Sequence, residues 1–248
     1  MPANTTRPLE LQNTIRFQKQ PKHQWQEARK IKEEHETMGG GGNEGIYKVR
    51  LKGDNHDMVF IEKRILAKQI KQGVAHAEIA ILHQVGDHRN VVKMFDHYMD
   101  EEKMEARIYL EFCDGGDLQG IVEARKQYGP VHKRKIWKWF IGIIDALVYC
   151  HRGPEPEDER KVHCWNVVYH QDIKPGNILL KIDPKSREIV PKLADFGFSE
   201  SIYSIYYTKH RIGKSDCNVH TMGYEAPECP NLSGATDVWG LAVSIACG

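Results

Sequence analysis

No stretch of this 248-residue chain stays apolar for the roughly 20 residues that a bilayer-spanning helix needs. The longest candidate, IWKWFIGIIDALVYC, carries Lys138 and Asp145 and reads as a buried helix. An excess of one charge sign is missing as well. Lys and Arg number 35 against 34 Asp and Glu, so no global field argues for nucleic acid or for an anionic membrane as partner. The six cysteines (Cys113, Cys150, Cys164, Cys217, Cys229, Cys247) share no framework spacing. That argues against a disulfide-stapled scaffold and for a reducing cytoplasmic or nuclear setting. The opening residues, MPANTTRPLELQNT, lack the apolar centre of a secretory signal, so the glycosylation match at Asn4-Thr5-Thr6 is read as accidental. Cys150-His151 and His163-Cys164 bracket an acidic stretch, but adjacent ligand pairs are not zinc-finger spacing; they read as a helix end and a loop.

What is present is an ordinary globular balance, 40% apolar and 28% charged. Residues 1–35 are polar, with a helical look near QWQEARKIKEEHE, and read as an N-terminal extension. The glycines at 39–42 break any helix there. IYKVRLKG and MVFIEKRIL alternate apolar with polar residues and predict two strands, followed by a helix in AHAEIAILHQV and strands in NVVKMFDHYM and ARIYLEF. Helical patterns dominate from DLQGIVEARK onward. The chain is therefore expected to be α+β, with a small sheet-rich part (36–112) and a larger helical part (113–248).

The chemistry-bearing signal is YHQDIKPGNILL at 169–180 followed by KLADFGFSE at 192–200. Asp172, Lys174 and Asn177 stand in the order Asp-x-Lys-x-x-Asn, and Asp195-Phe196-Gly197 follows after a hairpin-like connection. Phosphoryl transfer asks a protein for positioning, a hydroxyl-proton acceptor and cations against phosphate charge. These residues strongly resemble the catalytic loop and metal-binding motif of the eukaryotic protein kinases. The resemblance implies a bilobal kinase-like fold that uses ATP and Mg2+. Within it Asp172 is the proton acceptor, Lys174 a cation near the transferred group, and Asn177 and Asp195 the metal ligands.

The same resemblance extends from about residue 38 to the end. Gly40, Gly42 and Gly45 match the glycine-rich loop over the phosphates, with Tyr47 where the family has valine and Gly39 as a further departure. In VFIEKRI the phosphate-holding lysine must share a face with the residue two before it, which selects Lys63 with Ile61 over Lys68, beyond the strand. With Ile61 for the usual alanine and Tyr47 for valine, a narrow adenine pocket is expected. Glu78 matches the partner of Lys63, and Leu82 a core contact linking the lobes. ARIYLEFCDGGDL is similar to the interlobe hinge. There Leu110 is the gatekeeper, the backbone of Glu111 to Cys113 faces adenine, and Asp117 lies near the ribose; Leu179 joins these ATP-binding positions. Ala226-Pro227-Glu228 matches the end of the activation segment, and Asp237 the residue that ties down the catalytic loop.

Lys174 and Thr221 are the choices of Ser/Thr kinases, so the implied partner is a protein substrate bearing Ser or Thr. Gln171 replaces the arginine that usually pairs with an activation-loop phosphate, which implies activity without that phosphate. FCDGGDL and the insertion GPEPEDERKVHCWN are similar to the NIMA-related group. The chain ends at Gly248, twenty positions after Glu228, where the family continues through several helices; a C-terminal lobe lacking its last helices is expected. The alternatives are a pseudokinase or ATP-binding scaffold, and a small-molecule kinase, a group that usually lacks both the Asp-Phe-Gly and Ala-Pro-Glu segments found here.

Overall fold

The computed structural model describes residues 17–30, 43–53, 58–155, 165–202, 207–208, 223–228 and 233–246. Five antiparallel strands form a sheet in the order β1-β2-β3-β5-β4: β1 (Trp25–Lys30), β2 (Asn43–Leu51), β3 (Val59–Ile65), β4 (Met94–Asp100) and β5 (Glu105–Glu111). Strand alternation gives this sheet two unlike faces. Tyr47, Val49, Phe60 and Tyr109 cluster on the outer one, where Trp25 stacks on Tyr109 with ring centroids 4.4 Å apart. The inner face carries Lys63 directly between Ile46 and Ile108, and Ile61 between Lys48 and Leu110.

Two helices follow β3, α1 (Ala67–Lys71) and α2 (Val74–Val85). Ten of the twelve residues of α2 are buried, Glu78 among them, so this helix is core on nearly every side. The second lobe holds α3 (Leu118–Tyr128), α4 (Lys133–Arg152) and α5 (Gly234–Ala246) with a two-stranded hairpin of β6 (Ile178–Ile182) and β7 (Ile189–Leu193). One apolar cluster runs through both lobes, from Ile79 and Leu82 through Phe196 to Ile143 and Leu241. The chain has the bilobal architecture of the protein kinases. Among the described residues, no helix is long and apolar enough to cross a membrane.

Two expectations need correction. Trp25–Lys30, placed by composition in an extension and given a helical look, is a strand of the sheet, paired from Trp25 against Leu51 to Lys30 against Tyr47. Long-range pairing and the Trp25–Tyr109 stack override the local helical preference. Tyr47 does not narrow a pocket on the inner face. It pairs with Glu62 on the outer face, under the Arg64 guanidinium at 3.7 Å.

Candidate active site

Lys63 reaches the site because β3 alternates, and it arrives where three elements meet. Its Nζ donates to Glu78 Oε1 of α2 at 2.7 Å and to Asp195 Oδ1 at 2.8 Å. Lys68, by contrast, lies exposed on α1. Burial works against the charge on Lys63, yet the Asp195 and Glu78 carboxylates hold its pKa above the ordinary lysine value. For Glu78 burial dominates the pull of Lys63, with repulsion from Asp195 added, so its carboxyl is raised. Asp195 also feels burial, but Lys63 outweighs it and holds the carboxyl below the ordinary aspartate value. Exposure separates the two acids: 34% of the Asp195 side chain is open against 4% for Glu78. Glu78 can only hold the lysine, whereas Asp195 can also take a ligand.

The loop that carries Asp172, Lys174 and Asn177 lies beside this triad. Lys174 Nζ sits 2.8 Å from Asp172 Oδ2, and Asn177 Nδ2 donates to the same carboxylate at 2.9 Å and to the Asp172 carbonyl at 2.8 Å. The Asn177 carbonyl accepts from Ala194 N at 3.0 Å, which sets Asn177 next to Asp195. With its amide nitrogen committed to Asp172, Asn177 has its side-chain oxygen left to offer. That oxygen and the Asp195 carboxylate are hard donors of the kind Mg2+ takes together with substrate phosphates, so the residues present fit the metal.

The loop is held by Asp237, fully buried on α5. Its carboxylate accepts from His170 N at 2.8 Å and Gln171 N at 2.7 Å, and His151 Nε2 lies 2.8 Å away. Gln171 takes a left-handed φ of 66° under these bonds. Close approach of α5 is possible because Gly240 has no side chain; a Cβ there would sit 2.8 Å from the Ile173 carbonyl. His170 carries the structure onward, with Nε2 3.0 Å from the Ala194 carbonyl and its ring 4.9 Å from Phe196. Leu82 and Phe196 share one core cluster, as expected of a contact linking the lobes.

At the end of β5, Leu110 faces Ile61, and Asp117 caps α3 by accepting from Gly120 N at 2.7 Å. Asp117 also bridges to Leu179, bringing these two positions together below the hinge. Burial pushes the Cys113 thiol up to about 12, so Cys113 is a neutral side chain. The Glu111 carboxylate turns away from the cleft to Lys192 Nζ at 2.7 Å and Lys93 N at 2.8 Å. Gly45 lies inside β2 at a bulge, with φ 140° and opposite Arg64. Gly40, Gly42, Thr221 and the pair His163-Cys164 lie outside the described residues. Glu228 accepts from Thr236 Oγ1 at 3.4 Å.

Sequence reasoning missed the bonds behind the hinge. Besides Lys192 on Glu111, Lys181 Nζ donates to the Phe112 carbonyl at 2.7 Å. It also missed Gln171 Nε2 donating to Glu200 Oε2 at 2.8 Å. Only chemistry-bearing spacing is visible in one dimension, and these lysines carry no motif.

The protein kinase domain family matches residues 32–247. The serine/threonine-protein kinase Nek1 of Toxoplasma gondii is 31% identical over 193 residues, covering 74% of this chain and 11% of that protein. The probable serine/threonine-protein kinase nek2 of Dictyostelium discoideum is 26% identical over 223 residues, 86% of this chain and 47% of its own. The serine/threonine-protein kinase tousled-like 1 of Mus musculus is 28% identical over 169 residues, 65% of this chain and 20% of its own. The chain thus spans less than half the length of these relatives. With the family matched across most of its residues and the lysine–glutamate–aspartate triad in place, this chain belongs to the protein kinase family.

Proposed function

We propose that the chain transfers the γ-phosphate of Mg-ATP to Ser and Thr hydroxyls of protein substrates. The observation that carries this reading is Lys63, bonded at once to Glu78 and Asp195. An ammonium held between two carboxylates, one of them open, is a phosphate anchor set beside a metal ligand. Mg2+ would supply charge neutralisation on the phosphates, held by Asn177 and Asp195. Lys63 orients the α- and β-phosphates, and Glu78 keeps it from turning away. Asp172 accepts the proton of the incoming hydroxyl, oriented by Asn177 Nδ2 and with Lys174 2.8 Å away as the cation for the moving group. Lys174 is the family's Ser/Thr choice, which supports a short aliphatic hydroxyl as acceptor.

The pseudokinase reading rests on the departures in the glycine-rich loop. Against it stand six polar groups bonded in two sets, Lys63 with Glu78 and Asp195, and Asp172 with Lys174 and Asn177. The test is transfer of radiolabelled phosphate from ATP to generic protein substrates by the wild-type chain, Asp172→Asn and Asp195→Ala. Asp172→Asn should lose about a hundredfold to ten-thousandfold in turnover while keeping ATP binding. ATP binding by the wild type with no transfer would select the scaffold instead, and label mainly on tyrosine would overturn the Ser/Thr assignment.

A further inference from the structure

The inward face of α2 presents Glu78 to Lys63, but little in α2 itself fixes where the helix begins. Its first residue follows Gly73 at φ 77°, no side chain caps it, and no acidic residue lies in its first turn. A helix start without these devices depends on what packs around it. His76 lies two positions before Glu78, about 200° around the helix, and so on the opposite side. Three separate parts of the chain converge on it there.

Phe17 sets its ring edge-on to His76 at 4.8 Å between centroids, and further to His97 of β4 at 6.3 Å and to Tyr207 at 5.6 Å. Tyr207 stacks on His76 at 5.5 Å. Its backbone also runs directly over the helix start, since a Cβ on Gly73 would collide with the Tyr207 carbonyl. His76 Nε2 lies 2.5 Å from Glu101 Oε1 in the turn after β4. The segment carrying Phe17 is itself anchored. Gln18 O accepts from Met99 N at 2.8 Å along the outer edge of β4, and His23 N and Trp25 Nε1 both donate to the buried Asp96 at 3.1 and 3.2 Å. The Lys19–Glu102 pair at 2.8 Å is exposed and adds little.

From this juxtaposition we infer that residues 17–25 form an internal clamp in which Phe17 is a positioning residue. With His76 and Tyr207, Phe17 grips the outer face of α2 and so keeps Glu78 on Lys63. The consequence for phosphate transfer rests on the kinase reading; the mechanical claim about α2 does not. Tyr207 belongs to the segment after Asp195-Phe196-Gly197, so the same rings join the N-terminal segment to the activation segment through one helix.

The experiment compares the full chain with Phe17→Ala and Phe17→Tyr by hydrogen exchange of peptides from α2 and α4, beside steady-state kinetics. Phe17→Ala is expected to speed exchange in α2 about tenfold with α4 unchanged. It should also lower kcat about threefold to thirtyfold, with a smaller change in KM for ATP, the span expected from losing one or two aromatic contacts. Phe17→Tyr keeps the ring and should restore both. Where alanine loosens α4 as well, Phe17→Leu replaces it and should give intermediate exchange in α2. Wild-type exchange of α2 in the alanine or the leucine variant overturns the clamp. A wild-type chain that transfers no phosphate removes the kinase reading instead, and exchange in α2 then decides the clamp on its own.

Discussion

Asp237→Asn is the most informative single change, because it alters one oxygen in a residue that touches no substrate. The buried carboxylate satisfies two backbone donors, His170 N and Gln171 N, with one oxygen each. An amide keeps only one acceptor oxygen and turns NH2 towards the other donor. A buried donor left unsatisfied costs about 1–3 kcal/mol, so the asparagine variant should lose about that much, and Asp237→Ala about 2–6 kcal/mol. Against a typical total of about 5–15 kcal/mol, the first should fold and the second sit near the threshold. The effect on catalysis should be larger than the stability loss implies. Gln171 is a non-glycine residue at φ 66°, a conformation that costs on the order of 1–3 kcal/mol unless its surroundings impose it. Released, it relaxes and carries Asp172 with it, and a misplacement of about 1 Å can cost about a hundredfold in rate. Urea unfolding followed by tryptophan fluorescence gives the first quantity, phosphate transfer the second. An Asp237→Asn chain within about 0.5 kcal/mol of wild type and within twofold in kcat would refute the reasoning.

Lys63→Met should abolish measurable transfer and leave the Glu78 and Asp195 carboxylates without their shared cation; one of them then takes up a proton, so this variant should gain stability as pH falls, read from thermal unfolding at several pH values. In the wild type the sign for Asp195 is the reverse. Its depressed carboxyl contributes stability that is present above the ordinary aspartate pKa and is lost as pH falls through the lower, folded-state value. Asp195→Asn should flatten that acid limb in circular dichroism, and an unchanged limb would count against the assignment. Gln171 is bonded to Glu200 rather than poised for a phosphate, so a phosphatase-treated chain should keep most of its transfer activity; loss of most of it would show that a phosphate is needed.

The site was legible where chemistry fixes spacing. Asp172, Lys174, Asn177 and Asp195 are read from two short segments, because the phosphoryl transfer proposed for them would tolerate little variation in its groups. Strand alternation chose Lys63 over Lys68, and Lys63 bonds Glu78, the partner expected for it, and Asp195, which was expected only as a metal ligand. Matching by motif position failed at Tyr47. Tyr47 matches the family's valine by its place two residues after Gly45, but the pairing sets Tyr47 opposite Glu62 on the outer face and Ile46 opposite Lys63 on the inner one. β1 was illegible for another reason: its polar sequence becomes a strand only against β2, and Trp25 finds Tyr109 only through the fold. The lysines behind the hinge were hidden likewise, since Lys192 and Glu111 meet across two lobes with no local pattern to announce them.

Those two lysines decide which half of the molecule owns the connection between the lobes. Lys181 and Lys192 project from the β6–β7 hairpin and fasten Phe112 and Glu111 to the helical lobe. A nucleotide bound as proposed would rest its base on a seat that travels with the large lobe, while its phosphates are gripped by Lys63 from the small one. Any breathing between the lobes must then pull along the length of the nucleotide rather than lift it whole.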